Sequence, residues 1–368
     1  MLFKGTTGKT SIEIVKFIEG LGGSFDAFTT KENLVIITKF LSEHFENVFN
    51  LIAEVLLQSK IAEEDLIKEK SVILEEIKSD NDDPAEYIFD LLFQNLFPSH
   101  TMGLTIAGTE KSVSGINVEK ARRYYHELLK RKIVIAVSGN FEYETIVRLV
   151  RQKFASFNLV NTERTKPNED YQKVAVQTKK EISQVHLAFS IPGIAYSSSL
   201  RHQVLILNTM FGGGMSSRLF QGLREKDGLV YDVHSFIDFY SDCGVFGYYL
   251  VCDKKNLKNA AERLAIIFDD ITRNGFTKEE IDIAKTYITG NLLLSLESST
   301  NRMLRLGREL MYLQKTSVID EVVDLIKGIP ESEINKLTKT FLDPRKYSVA
   351  AVGPINEKEI ISTFSNIL

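Results

Sequence analysis

Residues 131–139 read RKIVIAVSG, and residues 345–353 read RKYSVAAVG. The two stretches match at a shift of 214 residues, and both have the apolar, β-branched character of a strand. Further out, residues 61–77 align with residues 276–292 at a shift of 215, and each segment spaces its apolar residues as a helix does. At the same shift, the predicted strand at 34–37 corresponds to a predicted strand at 249–252. The predicted helix that follows the first strand, at 45–57, corresponds to the helix that follows the second, at 260–271. A nearly constant shift across several elements indicates an internal duplication.

The duplication predicts an α+β protein with two similar halves, each a mainly antiparallel sheet with helices packed on one face. We place the halves at residues 1–165 and 175–368, joined by a polar stretch at 161–181. The second half opens with a strand at 184–190 and a helix at 198–210, and the repeat shift finds no counterpart of either from residue 1 onward. We therefore expect the first half to lack its opening strands and most of its first helix.

Composition excludes several classes of protein. Of the 368 residues, 43% are hydrophobic and 26% charged, so the chain has enough apolar surface to fold. Lys+Arg 45 against Asp+Glu 49 gives a net charge of −4, which provides no basic surface for nucleic acid. No apolar run reaches the roughly 18 residues of a membrane span, and no secretory signal is visible. Cys243 and Cys252 are an odd number of residues apart in one strand-like run, so we expect them not to pair.

Three features are distinctive in combination. The chain begins MLFKGT at residues 1–6, it carries Glu69 and Glu76 in a helix, and residues 212–236 read GGGMSSRLFQGLREKDGLVYDVHSF. With these features the chain resembles the pitrilysin-like zinc metallopeptidases, closest to the mitochondrial processing peptidase branch and its bacterial relatives. The resemblance extends over essentially all 368 residues.

The resemblance implies a zinc site that this sequence holds only in part. Family members carry H-x-x-E-H on a helix, with two His ligands and a general-base Glu, running straight into a stretch like MLFKGT. No such motif occurs in the sequence, and the resemblance places it just before Met1, so we expect an N-terminally truncated member. Glu76 matches the third metal ligand. Glu69, two helical turns earlier on the same face, matches a supporting carboxylate with a catalytic role.

Without the resemblance, the sequence allows a second interpretation of the two glutamates. Glu69 and Glu76 lie in a Glu/Lys-rich segment and could simply form a solvated helix face. The second copy of the repeat has Ala284 and Asn291 at these positions, so the fold of the repeat does not require carboxylates there.

The resemblance also implies substrate contacts. Arg224, expected at the end of a helix, and Tyr231, expected at the start of the next strand, match residues that contact the bound peptide and stabilise the developing oxyanion. Without the resemblance, an Arg paired with Glu225 or Asp227 and a packed Tyr would be the simpler interpretation. Two further segments match substrate-handling parts of the family: the glycine-rich loop with Gly213 and Gly214, and the edge strand with Ala27, Phe28 and Thr29.

The resemblance leads to two functional hypotheses. The first is a zinc-dependent metalloendopeptidase that cleaves unfolded peptides or presequences and is inactive as the present chain, because its His ligands and general-base Glu are missing. The alternative is a non-catalytic partner subunit of a heterodimeric processing peptidase. Zinc is expected in the intact family member and not in this chain alone, and a homodimer or a heterodimer with a related subunit is expected. The compartment is expected to be the bacterial cytoplasm, with the mitochondrial matrix open.

Overall fold

A computed structural model describes residues 1–155, 160, 164–168, 170–365 and 367. The strands are β1 Ser24–Thr29, β2 Leu34–Lys39, β3 Val174–Thr178, β4 Gln184–Pro192, β5 Asp232–Phe239, β6 Gly244–Asp253 and β7 Ser348–Gly353. The α-helices are α1 Ser11–Gly20, α2 Phe45–Leu57, α3 Glu63–Asp82, α4 Pro84–Leu96, α5 Glu110–Ser114, α6 Val118–Leu128, α7 Tyr143–Phe154, α8 Arg201–Phe211, α9 Leu257–Asn274, α10 Lys278–Ser295, α11 Ser299–Leu313, α12 Ile319–Gly328, α13 Glu331–Phe341 and α14 Glu357–Thr363. The mixture of helices with separate sheets confirms the α+β class.

The chain forms two compact units, and each unit combines segments that are not contiguous in the sequence. Unit 1 comprises Met1–Ser79, Ile106–Thr165 and Ser298–Gly307, and unit 2 comprises Asp80–Thr105, Lys166–Glu297 and Arg308–Leu368. The halves proposed from the repeat, 1–165 and 175–368, are defined by sequence similarity rather than by compactness, and their boundaries stay a prediction.

Unit 2 is built on a five-stranded sheet of order β3-β7-β4-β6-β5. All neighbouring pairs are antiparallel except β3 and β7, which are parallel. One face of β4, with Leu187 and Phe189, packs with Tyr248 of β6 and with helices such as α9 through Phe268. Each of these side chains is almost completely buried, and together they form the main hydrophobic core.

The other face of this sheet is covered by α4. Ile88 and Leu92 of α4 pack on Ala188 of β4 and Ala350 of β7, all with no exposed surface. Small residues on the strands let the helix approach closely. Helices were expected on one face of the sheet, and the main core of unit 2 has this arrangement. In addition, α4 packs on the opposite face.

Unit 1 contains a much smaller sheet and core. Its two strands, β1 and β2, pair antiparallel in one hairpin, and Ile14, Ile18, Leu51 and Val55 form its buried apolar cluster. Residues 131–139, predicted as a strand, are in no strand of the structure. The reason is that β7, the matching segment of unit 2, is held between β3 and β4, whereas unit 1 has no comparable strands among the described residues.

Two other expectations need comment. The polar stretch at 161–181 is not only a connection, because Val174–Thr178 forms β3 beside β7; residues 161–163 and 169 lie outside the described residues. Cys243 and Cys252 are both free thiols, as expected. Within the described part of the chain, none of the helices combines the length and the apolar character needed to cross a membrane.

Candidate functional site

The glycine turn after α8 is packed against β5. The amide nitrogens of Gly212 and Gly213 both donate to the Asn208 carbonyl, at 3.0 and 2.9 Å, and the Ser235 amide donates to the Gly212 carbonyl at 3.0 Å. A Cβ at Gly212 would lie 2.5 Å from the Ser235 nitrogen, and one at Gly213 would lie 2.8 Å from the Thr209 Cα. Gly214 has open space around it. The first two positions therefore require glycine for packing.

A π-helical segment, Phe220–Glu225, follows this turn and carries Arg224. π-helical turns are uncommon and are frequently found at functional sites. The Arg224 guanidinium lies over the Phe220 ring, 5.1 Å from its centroid, and its Nη1 atom is 3.8 Å from Asp232 Oδ1. The side chain is 46% exposed, so a ligand can still reach it. Asp227, one of the partners considered from the sequence, pairs with Arg263 instead.

Tyr231 stands directly before β5. Gly228, at φ +58°, reverses the chain in the left-handed region that favours glycine, and the Tyr231 amide then donates to the Val251 carbonyl at 2.8 Å. The Tyr231 side chain is 73% exposed, and its hydroxyl has no hydrogen-bond partner in the described part of the protein. Backbone pairing therefore fixes the residue while the phenol faces solvent. Arg224 and Tyr231 lie in the same unit, on the two sides of the turn that leads into β5.

A group of polar rings adjoins this pair and was not identified from the sequence. His186 Nδ1 is 2.7 Å from the Tyr249 hydroxyl, and His234 Nδ1 is 3.3 Å from Asp232 Oδ2. The Tyr249 ring also faces the ring of His234, at a centroid distance of 5.2 Å. Burial lowers the pKa of His186 and raises that of Tyr249, so both are neutral near pH 7.

Only strand register brings these residues together. Asp232 and His234 alternate along β5, and His234 is paired with Tyr249 of β6. The spacing of 232 and 234 indicates a shared face, but cross-strand neighbours cannot be read from one segment. Asp232 thereby contacts both Arg224 and His234.

Glu69 and Glu76 lie in unit 1, on α3. Glu69 Oε1 is 2.6 Å from Lys4 Nζ, in a half-buried ion pair. Glu76 is exposed, and its carboxylate forms no ion pair or hydrogen bond with another described residue. The seven-residue spacing puts the two carboxylates two turns apart on one side of the helix, as expected. Their predicted metal and catalytic roles stay predictions.

The described residues do not make a zinc site. A catalytic zinc needs three protein ligands and an open position for water. Over 1–155, 160, 164–168, 170–365 and 367, no group of three or more His, Cys, Asp or Glu side chains is arranged to hold a metal ion. Glu76, the predicted ligand, belongs to no such group, and Glu69, the predicted supporting carboxylate, is paired with Lys4. The donor set of the described residues therefore does not fit zinc.

The predicted peptide-binding edge is an edge in the structure. Ala27, Phe28 and Thr29 end β1, which pairs only with β2 in the described sheet. The Ala27 amide is partly occupied, because it donates to Asp26 Oδ1 at 2.8 Å. The remaining edge has the geometry for adding an extended strand.

Comparison with known proteins identifies the class of protein. The model described as "Insulinase (Peptidase family M16)" matches residues 1–110, and the model described as "Peptidase M16 inactive domain" matches residues 115–288. An uncharacterized zinc protease of Bacillus subtilis is 31% identical over 96% of this chain and 86% of its own length. An uncharacterized zinc protease of Streptomyces coelicolor is 29% identical over 98% of this chain and 80% of its own length.

Solved structures show the same fold. A peptidase M16 inactive domain from Pseudomonas fluorescens superimposes with a TM-score of 0.86 at 21% identity, covering 97% of this chain and 87% of that one. A protease from Helicobacter pylori gives a TM-score of 0.83 at 17% identity, covering 96% and 87%. The chain belongs to peptidase family M16, which confirms the resemblance to zinc metallopeptidases drawn from the sequence.

Proposed function

We propose that this chain is the peptide-binding part of an M16 zinc metalloendopeptidase that acts on unfolded peptides. The observation that carries the proposal is the pair of exposed hydrogen-bond donors, Arg224 and Tyr231, held on either side of the turn into β5. An unfolded peptide exposes backbone carbonyls that a folded protein uses internally. A guanidinium and a phenol together can donate to such a carbonyl, and these bonds strengthen as charge builds on the oxygen.

Neighbouring groups orient this pair. Asp232 lies 3.8 Å from the Arg224 Nη1 atom, and the Arg224 guanidinium lies over the Phe220 ring. Backbone pairing with β6 fixes Tyr231. In unit 1, the outer edge of β1 at Ala27, Phe28 and Thr29 is proposed to hold the extended peptide through its backbone, which makes sequence selectivity loose. Gly213 and Gly214 are proposed to contribute to substrate handling.

Hydrolysis needs a bound zinc and a general base in addition to the peptide contacts proposed above. In the first form of the proposal, His ligands and a general-base Glu join Glu76 in one enzyme that binds zinc. In the second form, the chain is a non-catalytic subunit that supplies peptide contacts to an active partner. The observation that favours the first form is the retention of Glu76, a carboxylate that the second copy of the repeat replaces with Asn291. Both forms include assembly as a dimer, with itself or with a related subunit, and we propose the bacterial cytoplasm as the compartment, with the mitochondrial matrix as the alternative.

Peptide affinity tests the proposal. Fluorescence polarisation would follow a fluorescein-labelled, unstructured 20-residue peptide titrated with the chain. We expect Arg224→Met to weaken binding about tenfold, since one charge-assisted hydrogen bond contributes roughly 1.4 kcal/mol or more. Tyr231→Phe should weaken it by a smaller factor, because it removes a neutral donor.

Matched controls separate a local effect from general damage. Arg273 is an exposed arginine of α9, and Tyr287 is a 52% exposed tyrosine of α10. Arg273→Met and Tyr287→Phe should leave the affinity unchanged. Equal affinities for Arg224→Met and Arg273→Met would refute the proposal.

Reconstitution separates the two forms. The chain would be mixed with an intact M16 relative, and peptide cleavage and zinc content would be measured for the mixture and for each component. An increase in cleavage that depends on Arg224 supports the subunit form. Cleavage unchanged by the chain, together with an in-frame H-x-x-E-H encoded upstream of the Met1 codon, supports the single-enzyme form.

A further inference from the structure

One face of α10 carries an apolar stripe that no described residue covers. Ile283, Tyr287 and Leu294 are each exposed over half or more of their surface. Their spacing of four and seven residues places them on one side of the helix, away from Ile281 and Ala284, which are buried in the core. This α10 stripe is about three helical turns long, or roughly 17 Å. Single exposed apolar residues are ordinary, but a contiguous row of them marks an interaction surface.

Gly290 lies inside the α10 stripe, three residues after Tyr287. A glycine weakens the interior of a helix, because it gives the unfolded chain more conformational freedom than any other residue does. The fold of unit 2 does not require it, since a Cβ at this position would meet no atom within 4 Å. A residue without a side chain does let the backbone of a second helix come close. Gly290 is therefore suited to the point where a partner helix crosses α10.

The charged side chains beside the α10 stripe are mostly acidic. Lys278, Glu279 and Asp282 line a shallow groove together with Ile283 and Tyr287. None of the three charges forms an ion pair with another described residue. Two carboxylates and one ammonium leave a net negative charge along this edge. A partner that matches it carries basic side chains beside its own apolar row.

The same edge argues against a second copy of the chain as the occupant. In an antiparallel pair of α10 helices, the centre of the contact would lie between Tyr287 and Gly290. Glu279 and Glu297 lie on one edge of the stripe at nearly equal distances from that centre, so each would face the other in the opposing copy. Like charges placed opposite each other repel, and they select against this pairing.

The opening elements expected for the first half do not account for the stripe. They correspond to β4 and α8 of unit 2, and α8 packs on α10 through the main core. By the repeat, their place is beside α3, the counterpart of α10, and within unit 1. The exposed side of α10 faces away from the core in which α8 lies.

We propose that the α10 stripe docks one amphipathic helix of a partner protein, with an apolar row about three turns long and lysine or arginine beside it. The partner helix crosses α10 at Gly290, its apolar side chains pack on the stripe, and its cations face Glu279 and Asp282. The stripe contains none of the residues proposed to contact the substrate. This docking is therefore separate from the proposed binding of unfolded peptides.

Binding of a model helix tests this inference. The probe is a fluorescein-labelled, hydrocarbon-stapled helix of about 14 residues with a row of leucines and with lysines on both edges of the row. It is titrated with the full chain and followed by fluorescence polarisation, and a second probe has glutamates in place of the lysines. We expect the lysine probe to bind at least tenfold more tightly than the glutamate probe. Glu279→Lys combined with Asp282→Lys should reverse this preference.

Variants of the stripe locate the binding site. Ile283→Gln should weaken binding of the lysine probe at least fivefold, whereas Ile266→Gln, at a similarly exposed isoleucine of α9, should not change it. Gly290→Gln should also weaken binding at least fivefold, while the urea midpoint of the chain stays the same or rises, since the added Cβ meets no atom of the protein. Retained stability separates lost docking from damage to the fold.

Several results would overturn the inference. Equal affinities of the two probes would do so, as would equal effects of Ile283→Gln and Ile266→Gln or no saturable binding of either probe. If sedimentation velocity showed a dimer of the free chain that Ile283→Gln dissociates, a second copy would occupy the stripe and the inference would be wrong. Arg224→Met should leave the affinity for the lysine probe unchanged, so a failure here is distinguishable from a failure of the proposed peptide binding. Weaker probe binding in that variant would place the probe at the substrate contacts and contradict docking on α10.

Discussion

The three glycines in the turn after α8 differ in how closely they pack against neighbouring backbone. Gly212 and Gly213 approach other backbone atoms too closely for any side chain, while Gly214 next to them does not. The sequence GGG alone does not distinguish these three positions. Their difference comes from β5, which packs against the first of them.

We predict that Gly212→Ala destabilises the protein. The added Cβ would lie 2.5 Å from the Ser235 nitrogen, a backbone atom that cannot move without disturbing β5. Overpacking of this kind costs about 1–3 kcal/mol of unfolding free energy. Urea denaturation followed by circular dichroism measures it, with Gly214→Ala as the control of nearly unchanged stability. Equal stabilities of the two variants would contradict the packing argument.

Residue-level predictions from the sequence were accurate where they depended on local signals. Gly228 does turn the chain, and Tyr231 immediately precedes the next strand, which begins at Asp232 rather than at Tyr231 as predicted. The π-helical form of 220–225 was not anticipated, since no local signal separates it from an α-helix. The contact of Asp232 with both Arg224 and His234 was also missed, because it depends on how the turn and the strand pack.

At the scale of secondary-structure elements, Arg218 connects two helices to the glycine turn. Its guanidinium pairs with Asp270 of α9 and with Glu280 in the first turn of α10, the latter at 2.9 Å for Nη2 and Oε2. Burial by itself raises the pKa of Glu280, but hydrogen bonds from Arg218 and Thr277 outweigh it and keep the pKa below its usual value. Hydrogen bonds from Asn274 and Arg218 lower the pKa of Asp270.

We predict that Arg218→Met lowers stability in a pH-dependent way. Carboxylates with lowered pKa values contribute stability above their ordinary pKa, and this contribution is lost as the pH falls through the folded-state values. The loss should be about 1–2 kcal/mol at pH 7, allowing for partial solvent screening, and should shrink between about pH 5 and pH 3. Urea denaturation across this range measures it.

The matched control is Arg273→Met. The pair of Arg273 with Asp269 is an exposed i,i+4 pair within α9, so its removal should change stability little. A deficit of Arg218→Met that stays constant from pH 7 to pH 3 would contradict the assigned role of the two carboxylates.

Helices were predicted more accurately than strands, and the reason is physical. The helix expected at 45–57 is α2 with the same bounds, and the capping box of Thr277 and Glu280 begins α10 as expected. Helices satisfy their own backbone groups, so local periodicity is enough. Strands depend on partners: 131–139 has strand composition without a neighbour, whereas β3 forms in a polar stretch because β7 lies beside it.

At the scale of the whole molecule, the sequence indicates the family, which the comparisons confirm, and predicts a duplication, but it does not show how the chain divides into compact units. Unit 2 takes α4 from the middle of the first half, and unit 1 takes part of α11 from the second. Long-range packing decides such exchanges, and no segment shows it locally. The residues predicted for substrate contact fall in both units, with Arg224 and Tyr231 in unit 2 and Ala27–Thr29 in unit 1.

The most direct test of the account is photo-crosslinking from position 231. The chain would carry p-benzoylphenylalanine in place of Tyr231, or in place of the similarly exposed Tyr287 as the reference, and would be irradiated with a labelled unstructured peptide. The account predicts crosslinking from position 231 that an excess of unlabelled peptide abolishes, and only background from position 287. Equal, uncompetable crosslinking from both positions would contradict peptide binding beside Arg224 and Tyr231.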